Sequence, residues 1–228
     1  MGIAERRARE REALRTRIVE AAREILSEQG PDALSIRSIA ERIEYSPATI
    51  YLYFRDKAEL IREVAREGFA RLVACIEEAV GELGPNAHPA DQFRATGRAY
   101  ARFAVENAAY FRVMFEPPEV PGAGGLSPAE PDPRPAWGAH LVTVVTRGKE
   151  AGLMDIGDPV RAALIAWGVM HGLASLYLSG RLAPAVQSPE QFAELTEAAL
   201  ATLWEGWKGQ GTGDFEPGRR GGMAAADV

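Results

Sequence analysis

The sequence predicts an all-α protein, and three observations lead to that fold class. Apolar residues recur at three- and four-residue steps along most of the chain, which is the pattern of helices with one buried face. Ser or Asp precedes several of these segments, where it can cap a helix, and Gly-Pro pairs follow two of them. The sustained alternation of apolar and polar residues that marks strands is missing from the sequence.

Length and composition limit the classes of protein to consider. The 228 residues fit one large domain or a small domain joined to a medium one, and an apolar content of 46% excludes a disordered chain. A formal net charge of -6 means that any surface for nucleic acid must be local. The lone Cys75 and the charged N-terminal segment predict a protein of the reducing cytoplasm without a secretory signal.

Four helices are predicted in the N-terminal part of the chain. The first spans about 7–29 and ends at Gly30-Pro31, and the fourth is long, over about 57–83. Between them lie two short helices, the second of which has Pro47 in the favoured first turn. The residues that cap the second, third and fourth helices are Ser35, Ser46 and Asp56.

Five further helices are predicted at 89–106, 108–115, 136–152, 159–180 and 189–208. The Pro/Gly-rich stretch 117–135 is predicted to be an exposed loop, because proline and glycine at that density cannot sustain a helix. The predicted domains are an N-terminal domain over 1–62, a helical domain over 63–208 and a disordered tail over 209–228.

Three helices packed into about 50 residues, the last two short and joined by a brief turn, fit the physical description of a helix-turn-helix. In the third helix, Thr49, Tyr51 and Tyr53 fall on the side away from the apolar Ile50 and Phe54. That side is free for a partner such as DNA. The same spacing also fits a small three-helix bundle with a solvated face, so the spacing alone leaves both interpretations open.

The residues themselves favour the DNA-binding interpretation. The segment 35–60 reads SIRSIAERIEYSPATIYLYFRDKAEL, in which Ile39-Ala40-Glu41, the run from Thr49 to Phe54, and Lys57 stand at family-specific positions. The segment resembles the tetracycline-repressor (TetR) family over about 15–67. The resemblance implies a transcription regulator, not an enzyme, that binds double-stranded operator DNA as a homodimer and is most often a repressor.

The resemblance also assigns roles to single residues. Arg37 would contact a phosphate or a guanine edge, the start of the third helix would face base edges, and the tyrosine hydroxyls and Lys57 would bind phosphates. The residues expected to contact DNA are Arg37, Ser46, Pro47, Ala48, Thr49, Tyr51, Tyr53 and Lys57. Six arginines in the first 17 residues either add phosphate or minor-groove contacts or form a solvated helix end.

The turn before the third helix departs from the family pattern. The family usually has Gly and then Val there, whereas this chain has Glu44-Tyr45. Glycine is common at this place because the turn can need a positive φ. We therefore expect either strain at Glu44 or a slightly different turn, which would change the angle of the recognition helix.

The C-terminal half carries a second resemblance. The segments 167–172 and 110–115 resemble a class of TetR C-terminal domains with a Trp…His-Gly signature, which implies dimerisation and binding of a small molecule. We expect the last two helices to form the dimer, with Gly168 and Gly172 on one face and an apolar stripe of Phe192, Leu195, Ala199, Leu203 and Trp204.

Apolar and aromatic side chains of this half predict an apolar or aromatic effector, with His171 or Tyr177 supplying a polar contact. The candidate pocket residues are Phe103, Phe111, Met114, Phe115, Trp137, Trp167, Met170, His171 and Tyr177. Alternatively, most of these residues are simply core. The alternatives for function are a regulator of the same fold that activates or has no ligand, and an enzyme that uses the helical cavity. We expect no cofactor, no metal and no membrane association, although 162–178 lacks charged residues.

Overall fold

The computed structural model describes residues 2–115 and 134–208, and all regular structure in these ranges is helical. A single 3-10 turn, Pro31–Ala33, follows the first helix. The described α-helices are α1 (Ile3–Gln29), α2 (Ile36–Arg42), α3 (Pro47–Tyr51), α4 (Lys57–Gly81), α5 (Pro89–Glu106), α6 (Ala108–Phe115), α7 (Arg134–Glu150), α8 (Pro159–Leu178) and α9 (Pro189–Trp207). The predicted all-α fold class is confirmed.

The helices begin where side chains can accept the backbone N–H groups of a first turn. The side chains of Ser35, Ser46 and Asp56 accept hydrogen bonds from backbone N–H groups three residues ahead, as the sequence predicts. Ser188 caps α9 in the same manner, and Asp158 caps α8 by accepting from the N–H of Val160, two residues ahead; each is followed by a proline in the first turn.

Helices α1, α2 and α3 form a small domain around fully buried isoleucines, among them Ile18, Ile39 and Ile50. Helix α4 leaves this domain and packs against α1 at one end and against α5, α6 and α7 farther along. The apolar core is continuous from α1 to α9, so α4 connects the DNA-reading candidates mechanically to the rest of the chain. The boundary predicted at 62/63 falls inside α4 and stays a prediction.

Helix α5 is the central element of the C-terminal bundle. It packs against α4, α6, α7, α8 and α9, and it buries Phe93, Tyr100 and Phe103 almost completely. Its neighbour α9 approaches closely at Gly97, where an added Cβ would lie 2.4 Å from a methyl carbon of Leu200. Glycine is therefore what allows α5 and α9 to pack at this distance.

Several predicted bounds differ from the structure by a few residues. Helix α1 starts at Ile3 rather than near Arg7, and α4 ends at Gly81 rather than Leu83. Arg134 and Pro135 belong to α7, not to the predicted loop, since proline is tolerated in a first turn. The rest of that loop from 117 to 133 and the tail 209–228 lie outside the described residues.

Candidate DNA-reading surface and interior cavity

The structure defines the backbone conformation of the turn between α2 and α3, which the sequence left open at Glu44. Glu44 has a φ of 59°, and within the described residues it is the one non-glycine position with a positive φ. Ser46 then starts α3, and its hydroxyl accepts a hydrogen bond from the Thr49 N–H at 3.2 Å. The expectation of an unusual backbone at Glu44 is therefore met.

Five of the predicted contact residues, Ser46 among them, are exposed where the helix-turn-helix presents its surface. Arg37 is the second residue of α2, Pro47 and Ala48 open α3, and the Tyr51 side chain is 57% exposed. Lys57 is the first residue of α4 and is half-buried, beside backbone N–H groups that the helix leaves unpaired. These positions suit the roles predicted for them.

Other predicted contact residues are engaged within the domain. The hydroxyl groups of Ser46 and Thr49 lie 2.9 Å apart in the helix cap, so both also serve the start of α3. The chain leaves α3 before Tyr53, whose half-buried ring packs on the core with the Arg11 guanidinium 5.8 Å from its centroid. For Thr49 and Tyr53, local packing competes with the predicted contact to DNA.

The arginines of α1 have a role that the sequence analysis missed. The guanidinium groups of Arg15 and Arg17 lie 5.3 Å from the Phe54 ring centroid and 5.6 Å from that of Tyr45. Both aromatic residues flank the recognition helix α3, and cations over ring faces stabilise such contacts. Arg15 and Arg17 thus stabilise the domain itself. This role differs from both expectations for the N-terminal arginines, which were contacts to DNA or a solvated helix end.

An exposed apolar residue was also missed on this surface. Leu52 is 73% exposed directly after α3, and it lines a cleft of about 660 Å³ together with Arg7, Arg11 and Tyr45. Its position between the two tyrosines of the family signature was visible in the sequence. The order of polar and apolar residues in that run, however, did not show whether Leu52 faces the core or the solvent.

A buried carboxylate joins α1 to α4. The two oxygens of Glu63 accept hydrogen bonds from Arg15 Nη1 at 2.6 Å, Arg66 Nε at 2.9 Å and Arg66 Nη2 at 2.5 Å. Burial alone would raise the pKa of Glu63, but the hydrogen bonds from Arg66 and Arg15 outweigh it and lower the pKa to about 2. Glu63 is therefore a charged link between α1 and α4.

The C-terminal bundle contains a chain of polar side chains inside an aromatic cluster. Trp167 Nε1 donates to the Tyr100 hydroxyl oxygen at 3.2 Å, and that oxygen lies 2.9 Å from His171 Nδ1. Ser175 Oγ follows 3.4 Å from His171 Nε2. Because the indole N–H can only donate, the chain is satisfied when the Tyr100 hydroxyl donates to a neutral His171.

Tyr100 is the site residue that the sequence analysis did not name. Burial raises the pKa of its hydroxyl, so Tyr100 keeps its proton and can donate a hydrogen bond. No motif marked it, since one tyrosine in a helix of mixed composition carries little information. The signal was its spacing from Phe103, one turn farther along the helix toward the predicted pocket.

A small void lies next to this chain. It has a volume of about 20 Å³, which is room for about one water molecule. The residues that line it are Ile76, Phe93, Thr96, Gly97, Tyr100, Leu141, Ala166, Trp167, Met170 and Leu200. Of the nine predicted pocket residues, Trp167 and Met170 line it. An effector would fit only after the helices move apart.

The other predicted pocket residues lie in different places. Phe111 and Phe115 pack around the His171 ring, with centroid distances of 5.2 and 4.8 Å, and Phe103 is a fully buried core residue. Met114 packs against Gly68 of α4, and Tyr177 stacks on Phe192 at 4.3 Å, away from the void. The Trp137 side chain lies outside the described residues.

Comparison with protein families gives an assignment for both halves of the chain. A model described as bacterial regulatory proteins, tetR family, matches residues 18–64, which contain α2, the turn and α3. A model of tetracyclin repressor-like C-terminal domains matches residues 93–203. The two matches together cover more than half of the chain. The chain belongs to the tetR family.

Individual relatives agree with this TetR assignment. The HTH-type transcriptional regulator UidR of Escherichia coli K12 is 37% identical over 71 residues, which are 31% of this chain and 36% of UidR. A Rhodococcus sp. RHA1 structure of unknown function is 32% identical with a TM-score of 0.73, covering 86% of this chain and 96% of that one. The chain thus spans only about a third of UidR.

A second solved structure is a bacterial regulatory protein in the tetR family from Rhodococcus RHA1. It is 24% identical with a TM-score of 0.63 and covers 83% of this chain and 96% of that chain, so the likeness concerns the fold. The TetR resemblance and the helix-turn-helix predicted from the sequence are therefore confirmed. The Trp…His-Gly class stays a prediction.

Proposed function

We propose that this TetR protein acts in the cytoplasm as a homodimeric repressor of transcription and releases its operator when it binds a small apolar or aromatic molecule. The observation that carries the proposal is the exposed surface of α2 and α3 within the region that the family model matches. Arg37, Pro47, Ala48 and Tyr51 reach outward there, as a helix-turn-helix needs for contact with a major groove.

The proposed division of roles follows from side-chain chemistry. Helix α3 carries no Arg or Lys, so Arg37 is proposed as the bidentate reader of a guanine edge. Pro47 and Ala48 offer small apolar surfaces that suit thymine methyl groups. Tyr51 and Lys57 are proposed to bind phosphates, which fixes the orientation on the duplex without reading sequence.

The dimer is proposed to form through α8 and α9. Val160, Leu164 and Leu176 are exposed on α8, four and twelve residues apart on a row that winds slowly around the side of the helix away from its buried alanines. Gly168 and Gly172 continue this row, and an added Cβ at either would meet nothing within 4 Å. An exposed apolar row of this length is expected to be covered by a second copy.

The last helix contributes fewer residues than the sequence predicts. Phe192 and Trp204 are buried inside their own subunit, against α5 and α8, and are not available to a second copy. Leu195, Ala199 and Leu203 of the predicted stripe stay partly exposed. The proposed interface therefore combines the outer row of α8 with these three residues of α9.

Helix α8 is also long and apolar enough to cross a membrane, as judged by length and composition. One such helix among the described residues is weak evidence for a membrane span, because the core helix of a soluble protein passes the same test. Its polar chain of His171 and Ser175, together with the open glycine face, favours a protein interface over lipid.

The effector is proposed to bind between α5 and α8, beside Tyr100. The lining there is apolar except for the polar atoms of Thr96, Tyr100 and Trp167, which favours an apolar or aromatic molecule with one hydrogen-bonding group. That group would compete with His171 for the Tyr100 hydroxyl. Since the void holds about one water molecule, binding must separate α8 from α5, and α5 also packs against α4.

The experiment that tests this proposal is binding of the purified protein to the DNA that flanks its own gene. Affinity is measured at several salt concentrations, with and without a panel of apolar and aromatic compounds. Sequence-specific binding that one compound abolishes supports both halves. Specific binding that no compound changes would support a DNA-binding regulator but reject the proposed effector site. The absence of specific binding in a genome-wide operator selection would reject the whole proposal.

A further inference from the structure

The turn before α3 has a backbone bonding pattern that normally contains glycine. The Tyr45 N–H donates to the Ala40 carbonyl oxygen at 2.9 Å, and the Glu44 N–H donates to that of Glu41 at 3.3 Å. These paired bonds are those of a Schellman motif, in which the residue at the Glu44 position adopts the left-handed conformation. With a Cβ present, that conformation is disfavoured by about 1–2 kcal/mol.

One side chain contacts the residues on both sides of Glu44. Arg17 of α1 donates from Nη2 to the Ile43 carbonyl oxygen at 3.5 Å, and its guanidinium carbon lies 5.6 Å from the Tyr45 ring centroid. Ile43 is buried, whereas Tyr45 is 41% exposed and Arg17 is itself exposed, so the contact lies at the surface of the domain. Arg17 therefore ties the turn to α1.

The conformation of the turn controls where α3 points. Ser46 and Pro47 follow Tyr45 directly, and the proline ring and the helix cap leave little freedom after the turn. Helix α3 has five residues, so a rotation of about 20° in the turn moves its far end by about 2.5 Å. A shift of that size is enough to misplace side chains at base edges.

We propose that Arg17, together with the ring of Tyr45, is a positioning residue for operator recognition. It holds Glu44 in the left-handed conformation and so sets the angle of α3, a task that glycine performs by its own conformational freedom. Arg17 acts through the turn and does not itself read bases. The inference rests on the proposed function, because its readout is binding to the operator.

The test is a double-mutant cycle with Arg17→Ala, Glu44→Gly and the double variant, with affinities measured for the operator and for scrambled DNA at several salt concentrations. Arg17→Ala should weaken operator binding by about tenfold and leave binding to scrambled DNA within about twofold. Adding Glu44→Gly should restore most of the operator affinity, because glycine keeps the turn without the clamp.

Two outcomes would overturn the inference. Equal losses on operator and scrambled DNA, with a salt slope reduced by about 0.9, would show that Arg17 binds a phosphate directly. A double variant no better than Arg17→Ala would show that the turn does not need the clamp. If the unaltered protein shows no specific binding, the proposed function itself fails. That failure is seen in the parent protein alone and is therefore distinct from a failure of the inference about Arg17. Circular dichroism of each variant separates these effects from loss of folding.

Discussion

At the scale of single residues, two buried polar arrangements connect distant parts of the chain. Glu63 joins Arg15 of α1 to Arg66 of its own helix, and Tyr100 joins Trp167 to His171. A buried polar group that loses its partner leaves an unpaired donor or charge, which is costly in the interior. Each arrangement therefore stabilises one relative position of the helices that carry it.

Glu63→Gln is expected to lower the free energy of unfolding by about 1–3 kcal/mol at neutral pH, because it removes charge-assisted hydrogen bonds from two arginines. Thermal unfolding followed by circular dichroism measures the effect. Glu78→Gln on the exposed side of the same helix is the matched control and should change little. Equal unfolding temperatures for the two variants would show that the Glu63 network contributes nothing to stability.

The same carboxylate predicts a dependence of stability on pH. The pKa of Glu63 is about 2 in the folded protein and near its ordinary value of 4.5 in the unfolded chain. A lowered folded-state pKa stabilises the protein above the unfolded value, and this contribution disappears as pH falls from about 4.5 toward about 2. The free energy of unfolding of Glu63→Gln should therefore change less across that pH range than the free energy of unfolding of the parent protein.

Tyr51→Phe is expected to weaken operator binding by about 0.5–1.5 kcal/mol, since it removes one hydroxyl donor and keeps the ring. Tyr45→Phe is the matched control, because the proposed role of Tyr45 needs its ring face and not its hydroxyl. Fluorescence anisotropy with labelled operator measures both. A larger loss of operator affinity for Tyr45→Phe than for Tyr51→Phe would show that the phosphate contact belongs to Tyr45 and not to Tyr51.

At the scale of secondary-structure elements, the helices and their caps were predictable because they depend on residues close in sequence. Ser35, Ser46 and Asp56 cap the helices that the sequence predicts, and the left-handed Glu44 was indicated by the missing glycine. The contacts between elements were not predictable in this way. Arg15 and Glu63 are 48 residues apart, and Tyr100 and His171 are 71 apart.

The faces of α9 show why periodicity stops short of packing. A stripe of apolar residues says that a helix covers something, but α9 lies against α5 and α8 and is also proposed to meet a second copy. Phe192 and Trp204 turned out to face the first two. Similarly, most predicted pocket residues are aromatic residues of the core. The sequence missed this because composition does not distinguish the wall of a cavity from a packed core.

Gly97→Ala is expected to destabilise the C-terminal bundle by about 1–3 kcal/mol, because the new methyl group would overlap the Leu200 side chain. Combining it with Leu200→Ala should recover part of the loss relative to the sum of the single changes. Chemical denaturation of the four proteins measures this coupling. Strict additivity would mean that α5 and α9 do not meet at Gly97 as described.

At the scale of the whole molecule, the proposed function requires two copies with a fixed distance between their α3 helices. The exposed row on α8 is one apolar feature that the described part of a single chain leaves uncovered, whereas the cores of both domains are continuous through α4. We propose that an effector that separates α5 from α8 shifts α4, which packs against α5, and so changes that distance. Sensing and DNA release are thus proposed to be one coupled movement.

Leu164→Asp is expected to raise the dissociation constant of the dimer by roughly a hundredfold or more, since it places a charge in both copies of a buried leucine site worth about 1.5–3 kcal/mol each. Sedimentation velocity over a concentration series measures it. Leu83→Asp, an exposed leucine outside α8 and α9, is the control. A Leu164→Asp protein that stays dimeric would place the interface elsewhere.

The measurement that tests the central claim most directly is the affinity of the protein and of Arg37→Ala for the operator and for its single-base variants. The account predicts that Arg37→Ala costs about 1–3 kcal/mol on the operator and removes discrimination at one symmetric pair of base positions. Unchanged affinity and unchanged discrimination at every position would contradict recognition through the start of α2. A uniform loss at every position would make Arg37 a phosphate contact and contradict its role as the guanine reader.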